Sequence, residues 1–314
     1  IDGGEYVVAV NKEQGQPAAE VLAEMLPDLI AGLRFGKSMR WNESGVAFSR
    51  PIRWLAALLD GAVLSFTYAG LTSGRTSRSS RPQGSAAFEI PHADAYRDRL
   101  DQREIVVDPA ARRAIIAEQA AALVESVGGA IPDDPKLLDE VTNLVEQPTA
   151  LLGHFEESYL KLPDAVLIAV MKKHQRYFPV VDADGDLMPH FVIVRNGGQA
   201  HLDIVRHGNE EVIRARFADA EFFYTEDTKK PLEDFLPRLE TLTFQEQLGS
   251  MLDKVHRLEK LVPQVAEMVG LGAEEARIAE RAAHLCKADL ATQMVVEMTS
   301  LQGVMGREYA LKSG

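Results

Sequence analysis

The stretch IRWLAALLDGAVLSFTY, residues 52–68, decides the fold class. Two apolar runs meet at Asp60-Gly61, and Asp-Gly between apolar runs is the strongest short-range signal for a β-hairpin. Upstream of it the pattern is helical. Pro17 stands where a helix can begin, and Val21, Leu22, Met25, Leu29 and Ile30 recur at helical spacing. Residues 6–10 read as a strand. Residues 71–85, rich in Ser, Arg, Thr and Gly, read as a loop. The first 90 residues are therefore mixed α and β.

Further along, residues 104–107 read as a short strand. Asp108-Pro109 makes an N-cap and first-position pair for a helix that reaches about residue 127 and stops at Gly128-Gly129. Residues 135–145 predict another helix. Residues 163–174 predict a third, carrying Val166, Ile168, Val170 and Met171. Residues 177–181 and 188–194 flank Asp182-Ala183-Asp184-Gly185-Asp186 as a second hairpin. From about residue 209 the pattern is almost wholly helical. A boundary falls between about residues 231 and 243. The fold class expected is α+β.

With 314 residues the chain has room for roughly two domains. Apolar residues at 46% and charged residues at 26% exclude a disordered chain, a collagen and a coiled-coil rod. No apolar run reaches the roughly 20 residues that span a bilayer, and no signal peptide is visible, so no membrane partner is expected. Cys286 is the single cysteine, which excludes an internal disulfide and points to a reducing cytoplasm. The net charge of −13 argues against bulk nucleic-acid affinity, but not against a local basic surface. The chain opens on Ile1 without an initiator Met and stops just after a helical pattern, so both ends read as cut.

Several motifs fail on spacing. Residues 31–38, AGLRFGKS, lack the first glycine of a phosphate loop and follow a helix instead of a strand. Gly185 falls at the wrong position for a calcium loop. None of the eight histidines is followed by Asp, as an HD-type phosphohydrolase requires, and His284 and Asp289 lie roughly 140° apart on one expected helix. Cys286 sits in an apolar-periodic helix and is expected to be a buried, inert thiol. The basic clusters carry more. Arg34, Lys37, Arg40, Arg50 and Arg53 lie among Trp41, Phe48 and Trp54; Arg75, Arg78 and Arg81 follow. Lys172, Lys173, His174, Arg176 and Tyr177 form a third group at a helix end. Cations beside aromatics suit phosphate contact with base stacking. Internal cation–aromatic packing is the plainer alternative. The candidate RNA-binding residues are Lys37, Arg40, Trp41, Arg50, Arg53, Arg75, Arg78, Arg81, Lys172, Lys173 and Arg176.

Long runs resemble a known family. KSMRWNESGVAFSRPIRWLAALLDG (37–61), EVTNLVEQPTALLGHF (140–155) and MKKHQRYFPVVDADGDLMPHFVIVRNG (171–197) are similar to the β subunit of bacterial heterotetrameric glycyl-tRNA synthetase. So are residues 208–261 and 287–314, and the resemblance covers nearly the whole chain in order. It implies a β subunit that binds glycine tRNA and assembles with a catalytic α subunit as an α2β2 heterotetramer. ATP and Mg are then used by that α subunit, and no cofactor is bound by this chain. It further implies an editing-type α/β module, similar to that of the phenylalanyl enzyme's β chain, over residues 1–235. A degenerate, all-helical HD-type domain follows over 236–314, with Lys287 where a metal ligand would stand and no phosphohydrolase activity. The anticodon-binding part of the family lies beyond this chain. One departure stands out. The family commonly shows Thr-x-Gly-His-Arg after its Ser-Gly-x-Thr loop, whereas residues 73–81 read SGRTSRSSR without a histidine. An editing hydrolase and a pure assembly scaffold are the rival readings.

Overall fold

The computed structural model describes residues 7, 9–10 and 15–313. Of the strand expected over residues 6–10, residues 6 and 8 lie outside that set, and Val7, Ala9 and Val10 form no strand. The chain divides into two compact units, Ile1–Asp108 and Pro109–Gly314.

In the first unit, helix α1 spans Ala18–Gly32 behind Pro17, where the spacing placed it. The hairpin at Asp60-Gly61 forms as β1 (Leu58–Leu59) and β2 (Ala62–Val63), with Asp60 at φ 52°. Its strands are shorter than the apolar runs because the preceding backbone turns to a different partner. The Ala57 N–H donates to the Gly74 carbonyl, and the Gly74 N–H to the Leu55 carbonyl. A second hairpin, β3 (Thr67–Tyr68) and β4 (Leu71–Thr72), turns through Ala69 and Gly70, both at positive φ. That geometry matches the twist of paired strands. Residues 71–85, expected as a loop, thus hold β4 and also β5 (Thr76–Arg78), which pairs with β6 (Ala87–Glu89). Their polar side chains do backbone work that composition hides. The buried Ser73 hydroxyl donates to the Leu64 carbonyl at 2.6 Å and accepts from the Phe66 N–H at 2.9 Å. Helix α2 (Tyr96–Asp101) follows. Residues 104–107 are not the strand expected of them. Glu104 takes φ 57°, and the Ile105 N–H returns to the Leu100 carbonyl, closing the helix end. Ile105 then packs with Phe88, Ile90 and Leu100 in a small core.

The second unit opens with α3 (Pro109–Glu125) and α4 (Pro135–Leu144). Gly128 ends the first at φ 70°, and the Asp134 side chain caps the second by accepting from the Leu137 N–H. A three-stranded antiparallel sheet comes next: β7 (Pro148–His154), then α5 (Asp164–Ala169), β8 (Phe178–Val181) and β9 (Leu187–Asn196). The strand order is β7-β9-β8. The DADGD hairpin is formed as expected, with Asp182 Oδ1 accepting from the Asp184 and Asp186 N–H groups. Strand β7 escaped the sequence reading, because the sheet is covered on both faces and its residues do not alternate in polarity. Period two assigns each face. Leu152, Phe178, Val180 and Val192 pack against α3 and α4, whereas Leu151, Phe191 and Ile193 face the other way. Gly153 in β7 leaves room for the Phe191 ring, which a Cβ there would meet at 2.6 Å.

Helix α6 (Leu202–Asp227) lays Ile213, Phe217, Ala220 and Tyr224 on that second face. After a 3-10 segment, Leu232–Thr241, a small hairpin of β10 (Thr243–Gln245) and β11 (Gly249–Ser250) interrupts the helical pattern. Helices α7 (Met251–Met268), α8 (Ala273–Leu285), α9 (Gln293–Glu297) and α10 (Val304–Ser313) complete the unit. Leu232, Leu236, Leu239, Val255, Met294 and Met305 belong to the same apolar core as Phe191 and Phe217. Residue 235 therefore falls inside the 3-10 segment, and the core runs on past it. Among the described residues, no helix is long and apolar enough to cross a membrane.

Candidate nucleic-acid interface

The basic segment after α1 has little regular structure, so specific bonds hold it. Met39 and Phe48 exchange backbone hydrogen bonds at 2.8 and 3.1 Å, closing a loop. Inside it, Asn42 Oδ1 accepts from the Ser44 backbone N–H and hydroxyl. Its Nδ2 donates to the Ala69 carbonyl at 2.9 Å, which ties the loop to the β3–β4 turn. Lys37, Arg40, Arg50 and Arg53 are exposed on this frame, and Trp41 is half-buried. Arg40 Nε donates to the Gly45 carbonyl at 2.8 Å, and the Arg53 guanidinium lies 5.4 Å from the Trp54 ring centroid.

The next three arginines differ among themselves. Arg75 is half-buried and braces the β1–β2 turn, donating to the Gly61 and Pro91 carbonyls. Arg78 is exposed and donates to the Ser85 carbonyl, and Arg81 is exposed at the start of a 3-10 turn. Among the described residues, none of Lys37, Arg40, Arg50, Arg53, Arg75, Arg78 and Arg81 forms an ion pair with a carboxylate. Their charge is therefore uncancelled locally, which is what a phosphate-contacting surface on an acidic body requires.

The third cluster lies in the other unit and is built differently. Helix α5 runs into a π-helical turn, Val170–Gln175, that ends at Arg176 in the left-handed region, φ 57°. Lys172 pairs with Asp134, and its hydrogen bond is the main reason that carboxyl lies below its ordinary range. Arg176 Nε donates to Glu140 Oε1 at 2.8 Å, while its Nη1 donates to the Lys173 carbonyl. Two of the cluster's cations are thus committed to carboxylates at the start and middle of α4, and Lys173 stays exposed. Tyr177 offers no stacking face. It is buried, its ring stacks on Phe191 at 5.0 Å, and burial pushes its phenol up to about 12.

The helical region holds features the sequence reading missed. Cys286 is exposed, not buried: it caps α8 where the helix face turns to solvent. His284 lies between two carboxylates, with Nδ1 on Glu259 and Nε2 at 3.0 Å from Glu233. Asp289 is fully buried, and its Oδ2 accepts from the Gly303 and Gly306 N–H groups at the start of α10. Asp227, also buried, accepts from the Gln293 and Met294 N–H groups and from the Tyr309 hydroxyl at 3.0 Å. The pair of glycines three apart, Gly303 and Gly306, was the one sequence signal for this arrangement. A Cβ at Gly306 would meet the Asp289 carboxyl at 3.2 Å. His284 and Asp289 therefore serve separate, structural bonds. Among the described residues, no three His, Cys, Asp or Glu side chains converge as metal ligands.

Comparison with known proteins adds a family. The model of the family described as "Glycyl-tRNA synthetase beta subunit" matches residues 1–314. The chain is 47% identical to the glycine–tRNA ligase beta subunit of Desulforamulus reducens over 99% of its own length. It is 46% identical to that of Moorella thermoacetica over 100%, and 44% identical to that of Clostridioides difficile over 99%. In each case it spans 45% of the relative, so it covers about half the length of these curated proteins.

Proposed function

Since the chain belongs to the glycyl-tRNA synthetase beta subunit family, we propose that it engages glycine tRNA and assembles with the catalytic α subunit in ATP-dependent glycylation of tRNA. The observation that carries this reading is the set of exposed, carboxylate-free cations at Lys37, Arg40, Arg50, Arg53 and Arg81. A pure scaffold would bury such arginines against Trp or carboxylates; Arg40 and Arg53 are exposed, whereas Arg176, also exposed, is paired with Glu140. In this reading ATP and Mg act on the α subunit, and this chain supplies RNA contact and a docking body. Its mixed α/β part is read as an editing-type module over residues 1–235, and residues 236–314 as a degenerate HD-type domain.

Binding of the chain to glycine tRNA across a salt series tests the proposal. The logarithm of the binding constant is expected to fall linearly with the logarithm of salt, and Lys37→Gln with Arg53→Gln to reduce the slope by about one to two. No binding at low salt would overturn the tRNA reading for this part of the protein. ATP–pyrophosphate exchange with glycine is expected to be absent for the isolated chain. Exchange at a measurable rate would place adenylate chemistry here and reject the division of labour.

A further inference from the structure

A groove of about 760 Å3 opens between α8, α10 and the turn at Leu232. Its chemistry follows from helical spacing. Arg277, Arg281 and Leu285 recur every four residues on one face of α8, with Ile278 beside them. Across the groove α10 presents Gly306, Arg307 and Ala310. Three guanidinium groups therefore border an apolar trough.

The arginines are only partly satisfied. Arg277 gives Nη2 to Glu274, and Arg281 gives Nη2 to Glu233, each at 2.8 Å. A guanidinium has five N–H donors, so each pair leaves most of them free. Arg307 is exposed and, among the described residues, has no side-chain hydrogen bond or ion pair. The Asp289 carboxylate already occupies the N-terminal N–H groups of α10, so recognition of an anion falls to the arginines. Guanidinium forks match the oxygens of a phosphate and also stack on flat rings. Ile278, 58% exposed and without a partner, and Leu285 offer apolar surface for such a ring. The volume lies within the range of small-ligand sites, about 300–1,000 Å3.

We propose that this groove binds a nucleotide, with its phosphate held by Arg277, Arg281 and Arg307 and its base laid against Ile278 and Leu285. The nucleotide can be free or can be the terminal unit of a single-stranded RNA, and the chemistry of recognition is the same. The reading is independent of folded-tRNA binding, because its test uses small probes.

Cys286 supplies the readout. It is the chain's single cysteine, it is exposed, and it lines the groove. Alkylation of the chain by N-ethylmaleimide, followed by mass spectrometry, is run with AMP, with adenosine and with a single-stranded RNA tetranucleotide. Saturating AMP is expected to slow alkylation about fivefold or more, and adenosine to leave it near the unliganded rate. Arg307→Gln, compared with its own unliganded rate, is expected to reduce the protection and weaken AMP binding by calorimetry about tenfold, as for loss of one charge-assisted contact. Protection by both probes assigns the groove to free nucleotides and RNA ends alike. Protection by the tetranucleotide alone assigns it to RNA ends. No protection by either, together with no calorimetric binding, overturns the proposal, as does protection that survives unchanged in Arg307→Gln.

Discussion

A carboxylate 2% exposed, Asp227, gathers two backbone N–H groups of α9 and the Tyr309 hydroxyl onto one side chain. Burial, and then the facing Asp227 charge, pushes the Tyr309 phenol well above its ordinary value, which keeps it a donor at neutral pH. Asp227→Ala leaves two buried donors and one half-buried donor without an acceptor, and is expected to cost about 2–4 kcal/mol of unfolding free energy by urea denaturation. A loss below about 0.5 kcal/mol would mean that water replaces the carboxylate. Gly153→Ala places a methyl where Phe191 lies, with an expected cost of about 1–3 kcal/mol and a lowered Tm. Neither residue was singled out in the sequence, because an Asp near a helix end and a Gly in an apolar run are common. What made them matter is a partner far along the chain. The same holds at the candidate interface: the cations were legible from residue type alone, but the pairing of Lys172 with Asp134 and of Arg176 with Glu140 was not.

Elements were legible where local chemistry marked their ends. Asp60-Gly61 and the stop at Gly128 both act within a few residues of themselves. Strands β5 and β7 were hidden, one by its Ser- and Arg-rich surroundings and the other by apolar cover on both faces. The helix α7–α8 pair carries a pH dependence that only the structure displays. His284 joins Glu259 of α7 and Glu233 of the 3-10 segment, and the hydrogen bond to Glu259 is the main reason its pKa is raised. A raised folded pKa gives stability that is fully present below the ordinary value, about 6.5, and lost as pH rises through the folded value. The unfolding midpoint in urea is thus expected to fall as pH rises above about 6.5, and His284→Gln to flatten that slope. An unchanged slope in the variant would assign the dependence to another group. Glu233 behaves oppositely. Arg281 and then His284 hold it down to about 2, so its contribution is present above the ordinary carboxylate range and lost only as pH falls toward that value.

At the scale of the molecule, the second unit has an apolar core on each face of its sheet, and the core on the α6 face includes the terminal helices. Residues 109–235 taken alone would leave Val166, Phe191 and Phe217 without Leu236, Leu239, Met294 and Met305. That segment is expected to lack a cooperative unfolding transition by circular dichroism, whereas 109–313 is expected to show one. A cooperative transition in the shorter segment would show that the sheet and α6 suffice. The mixed α and β character was readable from hairpin and helix signals. The continuity of the core past residue 235 was not, since no local pattern records which distant helices share a buried face.

Strand β9 is the common partner of β7 and β8, which do not pair with each other. During synthesis the ribosome releases β7 and β8 first, and each must wait, unpaired, until β9 emerges. Translation at about 5–20 residues per second makes that wait for β7 a matter of seconds. Over that time its apolar residues are the natural ones for a chaperone to hold.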